Sequence, residues 1–221
     1  MRGVALRGAF VVVTAILLSV GLLFTVLHKR RLEAGSLLHA VERLEASTSS
    51  SELHALETRF KEFLSHDKCA SDPCPIVFIF HNSPLSELRL SHPVRLIVAI
   101  TSDQSQLREI SISYSLLVVS EAASNVRVTK LINVERSPAF EVRRYPVVGK
   151  PPSITLTIAS NASQAEKDIA FSLNLRCLSS VPGCDGLDEL APKFAGFEVP
   201  TQITIRTGGW HSLRLSSALF P

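Results

Sequence analysis

The chain has 221 residues, 46% of them hydrophobic and 19% charged, which is enough apolar material for a buried core and excludes disorder as a description of the whole. Its formal charge is +3, yet five of the 23 basic residues, Arg2, Arg7, Lys29, Arg30 and Arg31, flank a single N-terminal apolar run. From Leu32 onward 18 basic residues face 20 acidic ones, a balance that argues against a nucleic-acid partner because phosphate binding needs a concentrated basic surface.

The apolar run extends from Ala9 to Leu27, 19 residues without a charge. At about 1.5 Å per residue, a helix of this length roughly matches a ~30 Å hydrocarbon core. His28, Lys29, Arg30 and Arg31 close the run, and no A-x-A-like site follows it. The pattern therefore predicts an uncleaved membrane anchor over residues 1–31 rather than a cleaved signal. No Cys lies near the run, so a lipid anchor has no attachment point.

Basic residues on both flanks leave the orientation of such an anchor open by charge alone. The cysteines bear on it. Cys69 and Cys74 form C-x4-C and Cys177 and Cys184 form C-x6-C, an even count in two local pairs that suits disulfides in an oxidising compartment. On that ground the rest of the chain is expected outside the cytoplasm, periplasmic or extracellular. Local and crossed pairings both remain open. Zinc is disfavoured, because structural zinc knuckles use tighter pairs than these.

Residues 32–67 have helical spacing. Leu37, Leu38, Val41 and Leu44 recur on one face, and Leu53, Leu56, Phe60, Phe63 and Leu64 follow after a serine-rich break. Ser49 stands three residues before Glu52, as in a capping box. Two helices are predicted, over 32–46 and 50–65, joined as a hairpin. A continuous stalk is the alternative.

Residues 68–221 then change to alternating patterns, predicting an antiparallel β domain. Strands are expected over 76–80, 94–101, 110–119, 126–134, 154–158, 169–175, 201–206 and 212–219. Gly208-Gly209 suits a tight hairpin between the last two. The proline-dense segment 137–152 is expected as a long surface connection. The fold class so read is mainly β (α+β): an N-terminal transmembrane helix, a short helical hairpin, then an antiparallel β-sandwich-like domain.

No nucleophile elbow, Walker loop or dinucleotide fingerprint occurs, and no catalytic, cofactor-binding or metal site is predicted. The loop that begins at His81 and ends at His92 gathers Asn82, Ser83 and Glu87 near Cys74. It is the place to look for a site, although a turn between strands explains the same residues. Asp185, Asp188 and Glu189 lack the ligand spacing of a calcium loop. Asn161-Ala162-Ser163 fits a glycosylation acceptor and an exposed turn.

Through Cys69, Cys74, the stretch IVFIFHN from Ile76 to Asn82, and Leu85 to Leu90 before Pro93, the first half of the chain resembles uncharacterised bacterial single-anchor envelope proteins. That resemblance implies no activity. The expectation is a non-enzymatic anchored protein whose β domain binds another envelope protein or itself, with the membrane as the N-terminal helix's partner. An anchored hydrolase or carbohydrate-active domain using His81, Glu87 and His92 is the alternative.

Overall fold

A computed structural model describes residues 2–65, 75–103, 106–118, 121–132, 140–145 and 153–195. Its first element is α1, Arg2–Arg43, a single helix of 42 residues that runs through the apolar stretch and the basic cluster without a break. Nothing in that sequence stops it: no proline occurs, and Gly21 and Gly35 are isolated helical glycines. The first helix expected over 32–46 is therefore the C-terminal part of the same helix. Side chains from Phe10 to Leu22 are exposed, whereas Ala34, Leu37, Leu38 and Val41 are buried in the core.

A turn follows, and α2, Ser50–Arg59, begins at the expected capping box. Ser49 accepts from the Glu52 backbone N–H while the Glu52 carboxylate accepts from the Ser49 N–H. α2 is shorter than its expected span of 50–65 and passes into a 3-10 turn, Lys61–Phe63. It packs back along α1 as a hairpin: Arg59 donates to the Ser36 hydroxyl at 2.6 Å, and Lys29 pairs with Glu62 at 3.6 Å. Phe60 meets Phe78 edge to face at 6.1 Å, joining the hairpin to the sheet.

The sheet has six strands: β1 (Ile76–His81), β2 (Val94–Asp103), β3 (Gln106–Val118), β4 (Glu121–Leu131), β5 (Phe140–Tyr145) and β6 (Ser153–Ala159), in spatial order β1-β2-β3-β4-β6-β5. Three pairings from β1 to β4 are antiparallel, as is β5 with β6, but β4 and β6 run parallel because β6 inserts between β4 and β5. The sheet is therefore mixed rather than wholly antiparallel. The described residues form one sheet with helices against it, an α+β arrangement.

Alternation along the strands assigns the two faces. Phe78, Val98, Ile112, Val128 and Leu156 lie in register across five strands and are all buried beneath helices. One residue earlier or later, the row Val77, Ala99, Ser111, Thr129 and Thr157 forms the second face and is only part-buried. Burying a Leu, Val or Phe side chain contributes on the order of 1.5–3 kcal/mol, so the helix-covered row fixes the register. A slip of one residue would exchange it for the Ser/Thr row.

Two expectations are corrected. Residues 169–175 form no strand: α4, Gln164–Ala170, occupies the first part, and a 3-10 turn, Leu175–Leu178, closes it. Ser163 and Glu166 make a second reciprocal capping box, which fixes the helix start. The proline-dense segment 137–152 also contains a strand, β5, at the sheet edge where flanking prolines are tolerated.

Two short helices, α5 (Leu187–Leu190) and α6 (Pro192–Ala195), complete the described chain. Tyr114, fully buried in β3, donates its hydroxyl to the Asn174 carbonyl at 2.9 Å and ties this segment to the sheet. Cys177 and Cys184 are joined by a disulfide, the local pairing. Cys69, Cys74, the Gly208-Gly209 hairpin and the strands expected over 201–206 and 212–219 lie outside the described residues.

The pairings also define two ends of the sheet. His81, Arg95 and Leu116 share one end, where Arg30 of α1 donates to the His81 carbonyl at 3.4 Å. Lys130, Ile110 and Ile158 share the other, where Lys130 reaches the carbonyls of Glu42 and Leu44. α1 thus crosses the sheet from the first end to the second, and its exposed apolar half departs from the His81 end.

Candidate functional site

The loop between β1 and β2 holds the polar residues singled out from the sequence. Asn82 follows β1 directly and is 1% exposed. Its amide donates to the Ser91 hydroxyl and the His92 carbonyl, both at 2.9 Å, while its side-chain oxygen accepts from the Val94 backbone N–H at 2.7 Å. Every bond staples one end of the loop to the other, with both amide N–H donors and the side-chain oxygen engaged inside the loop. Ser83 opens the short helix α3, Ser83–Glu87, with Pro84 in its first turn.

His81, Glu87 and His92 are all exposed. His92 faces Asp185 at 3.5 Å across the neighbouring loop. His81 titrates below its ordinary range, first because it is partly desolvated and then because Arg30 and Arg95 are close, with Glu87 opposing them. Among the described residues no group of three His, Cys, Asp or Glu side chains is placed to hold a metal ion. The loop residues nearest one another in sequence are brought together by Asn82, and that order is structural.

The buried polar groups elsewhere are similarly engaged. The Tyr114 phenol is held protonated by burial and hydrogen-bonded to Asn174. The hydroxyls of Ser113 and Ser115 both donate to the Asn125 side-chain oxygen at 3.0 Å. The backbone N–H of Asp185 donates to the Glu189 carboxylate at 3.1 Å, so one acidic group of that loop caps the chain itself. No buried side-chain nitrogen or oxygen among the described residues lacks a partner.

A second feature, not singled out from the sequence, lies where α1 meets the sheet end. Val26, Lys29 and Arg30 of the helix, Glu62 and Phe63 of the hairpin, and β1 from Ile79 to His81 line a cleft of about 270 Å³. Phe63 and Phe80 stack at 4.2 Å to form its aromatic wall. Arg30 has no carboxylate within ion-pair distance among the described residues, and Lys29 has the exposed Glu62. The signal available in the sequence was the HKRR cluster ending the apolar run, but its neighbours on β1 are fixed only by the fold.

The arrangement is an α+β domain built directly onto a helix long and apolar enough to cross a membrane. No family model, curated protein or solved structure matches the chain.

Proposed function

We propose that the chain is a single-span membrane protein whose extracytoplasmic domain is a binding module, engaging another envelope protein or a second copy of itself. The observation that carries this reading is the continuity of α1. One unbroken helix contributes both the uncharged run and the core residues Ala34, Leu37, Leu38 and Val41. A domain mounted in this way is held at the bilayer without a flexible tether, which raises its effective concentration toward partners in the same membrane. The Cys177–Cys184 disulfide supports an oxidising compartment.

The binding surface in this reading is the second face of the sheet. Its row of Ala99, Ser111, Thr129 and Thr157 is flanked by Val77, Ile79 and Ile97, all part-exposed. Intact-mass measurement of the membrane-extracted protein, with thiols alkylated before and after reduction, tests the compartment. An uncleaved mass with cysteines protected until reduction is expected; free thiols at Cys177 and Cys184 would overturn the orientation. Sedimentation in detergent tests self-association, with Thr129→Arg expected to shift a dimer toward monomer. For the other partner class, site-specific photo-crosslinking from Thr157 in intact cells is expected to give an adduct with one envelope protein. A wild-type monomer with no adduct would sink the binding-module reading.

A further inference from the structure

Outside α1, the large hydrophobic side chains left exposed among the described residues are Leu88 at 60%, Leu90 at 44% and Val181 at 46%. Scattered exposed leucines need no explanation. These three are gathered on one end of the sheet. Leu88 and Leu90 lie in the connection that follows His81 and returns to Val94. Val181 is two residues from Gly183, whose backbone approaches that connection so closely that an added Cβ would fall 2.7 Å from the Ser91 Cβ. This is the end from which the exposed half of α1 departs.

The depth of that end follows from the cleft beside it. Val26 shares the cleft lining with Phe80 and His81, so the end of β1 stands level with the last turn of the uncharged run, which finishes at Leu27. With the run in hydrocarbon, Lys29 and Arg30, which line the same cleft, occupy the headgroup layer. The connection beyond His81 leaves the sheet at this same end and returns to it at Val94. Arg89 sits between the two exposed leucines, and neither it nor Arg30 has a carboxylate within ion-pair distance among the described residues. Glu62, Glu87 and Asp185 are acidic groups on the same end: Glu62 faces Lys29, Asp185 faces His92, and Glu87 lies near His81.

We infer that the 82–93 connection and Val181 rest in the interfacial layer of the bilayer that α1 crosses, with Leu88, Leu90 and Val181 at the headgroup–acyl boundary and Arg30 and Arg89 on phosphates of anionic phospholipids. The inference rests on α1 being a membrane span. Apolar side chains beside cations suit such a layer, which accepts buried apolar area and attracts basic groups when lipids are anionic. The consequence for the protein is a fixed tilt: the domain has two attachments to the membrane, the helix and this end, and presents its sheet in one orientation.

The test uses the full chain in vesicles containing brominated phosphatidylcholine, with and without phosphatidylglycerol. The one tryptophan, Trp210, is replaced by Phe, and single tryptophans are introduced as Leu88→Trp, Phe24→Trp and Gln106→Trp. Leu88 and Phe24 are exposed and Gln106 lies at the far end of the sheet, so none of the three disturbs core packing. Quenching on the order of twofold is expected at Leu88→Trp and Phe24→Trp and little at Gln106→Trp. Phosphatidylglycerol should deepen quenching at Leu88→Trp, and adding Arg30→Gln with Arg89→Gln should abolish that increment.

Quenching at Phe24→Trp without quenching at Leu88→Trp would overturn the inference while leaving the span intact. Equal quenching at Gln106→Trp would also overturn it, because the domain would lie flat. An unquenched Phe24→Trp would remove the span, and the inference with it. Leu88→Trp quenching indifferent to phosphatidylglycerol and to both arginine substitutions would overturn the phosphate assignment.

Discussion

Lys130 sits on the helix-covered face of β4, opposite Ile110 and Ile158, with no exposed surface. Its ammonium donates to the carbonyls of Glu42 and Leu44 at 2.6 Å each. Glu42 lies in the last turn of α1 and Leu44 directly follows its end, where carbonyls have no intrahelical donor and the helix dipole favours a cation. Burial lowers its pKa to about 8 from 10.5, with Lys167 adding to the effect and Glu45 and Glu42 opposing it. Between those two values the unfolded chain binds the proton more tightly than the native one. Unfolding free energy should therefore rise with pH across that window and stay flat just below it. Lys130→Met should erase this slope in denaturation at pH 7.5 and 10, and cost about 2 kcal/mol or more by leaving two carbonyls unpaired. Arg89 shows a different cost. It has φ 57°, and it ends α3 as a Schellman motif: its N–H bonds to Ser86 O at 3.0 Å and that of Leu90 to Leu85 O at 2.9 Å. Glycine is favoured at that position, so Arg89→Gly should stabilise the protein in detergent by about 1 kcal/mol. The same substitution should weaken its response to anionic lipid.

Among the elements, the contrast between α2 and α4 shows which local signals can be read. Both begin at a Ser-x-x-Glu capping box, and the one at Ser49 was legible because helical spacing followed it. After Ser163 the apolar residues Ile169, Phe171, Leu173 and Leu175 alternate as a strand would, and the alternation concealed the cap. Beyond α4 those residues follow an irregular path, held by Asn174, whose amide donates to the Glu189 carbonyl at 2.9 Å. The Cys177–Cys184 disulfide closes a separation of 7 residues in this segment. Replacing both cysteines by Ala should lower stability by about 2.5 kcal/mol through the entropy returned to the unfolded chain, measured by denaturant titration. An unchanged midpoint would mean that Asn174 and its neighbours order the segment alone. β5 was missed for another reason: Pro138 and Pro146 flank the strand, Pro151 and Pro152 precede β6, and none of them falls in the interior of β5.

At the scale of the whole molecule, α1 belongs to the apolar run and to the domain at once. Deleting residues 2–26 should leave Ala34, Leu37, Leu38 and Val41 in place and preserve cooperative thermal unfolding. Deleting through Leu44 should abolish it, since the helix-covered row of the sheet would lose part of its cover and Lys130 its acceptors. Circular dichroism melts of the two truncations separate these outcomes. By itself the sequence determined the apolar helix, the helical hairpin with its cap at Ser49, and strands β1 to β4 and β6, because each is written in the spacing of apolar residues over a short window. It also determined that no common catalytic motif is present. Only the tertiary structure decided that the apolar helix and the first hairpin helix are one rod, that β6 inserts parallel to β4, and that Asn82 is a staple. It likewise decided that Leu88, Leu90 and Val181 share an end with Arg30. Each of these depends on which distant segments pair, and pairing is set by burial across the whole sheet, which no local period records.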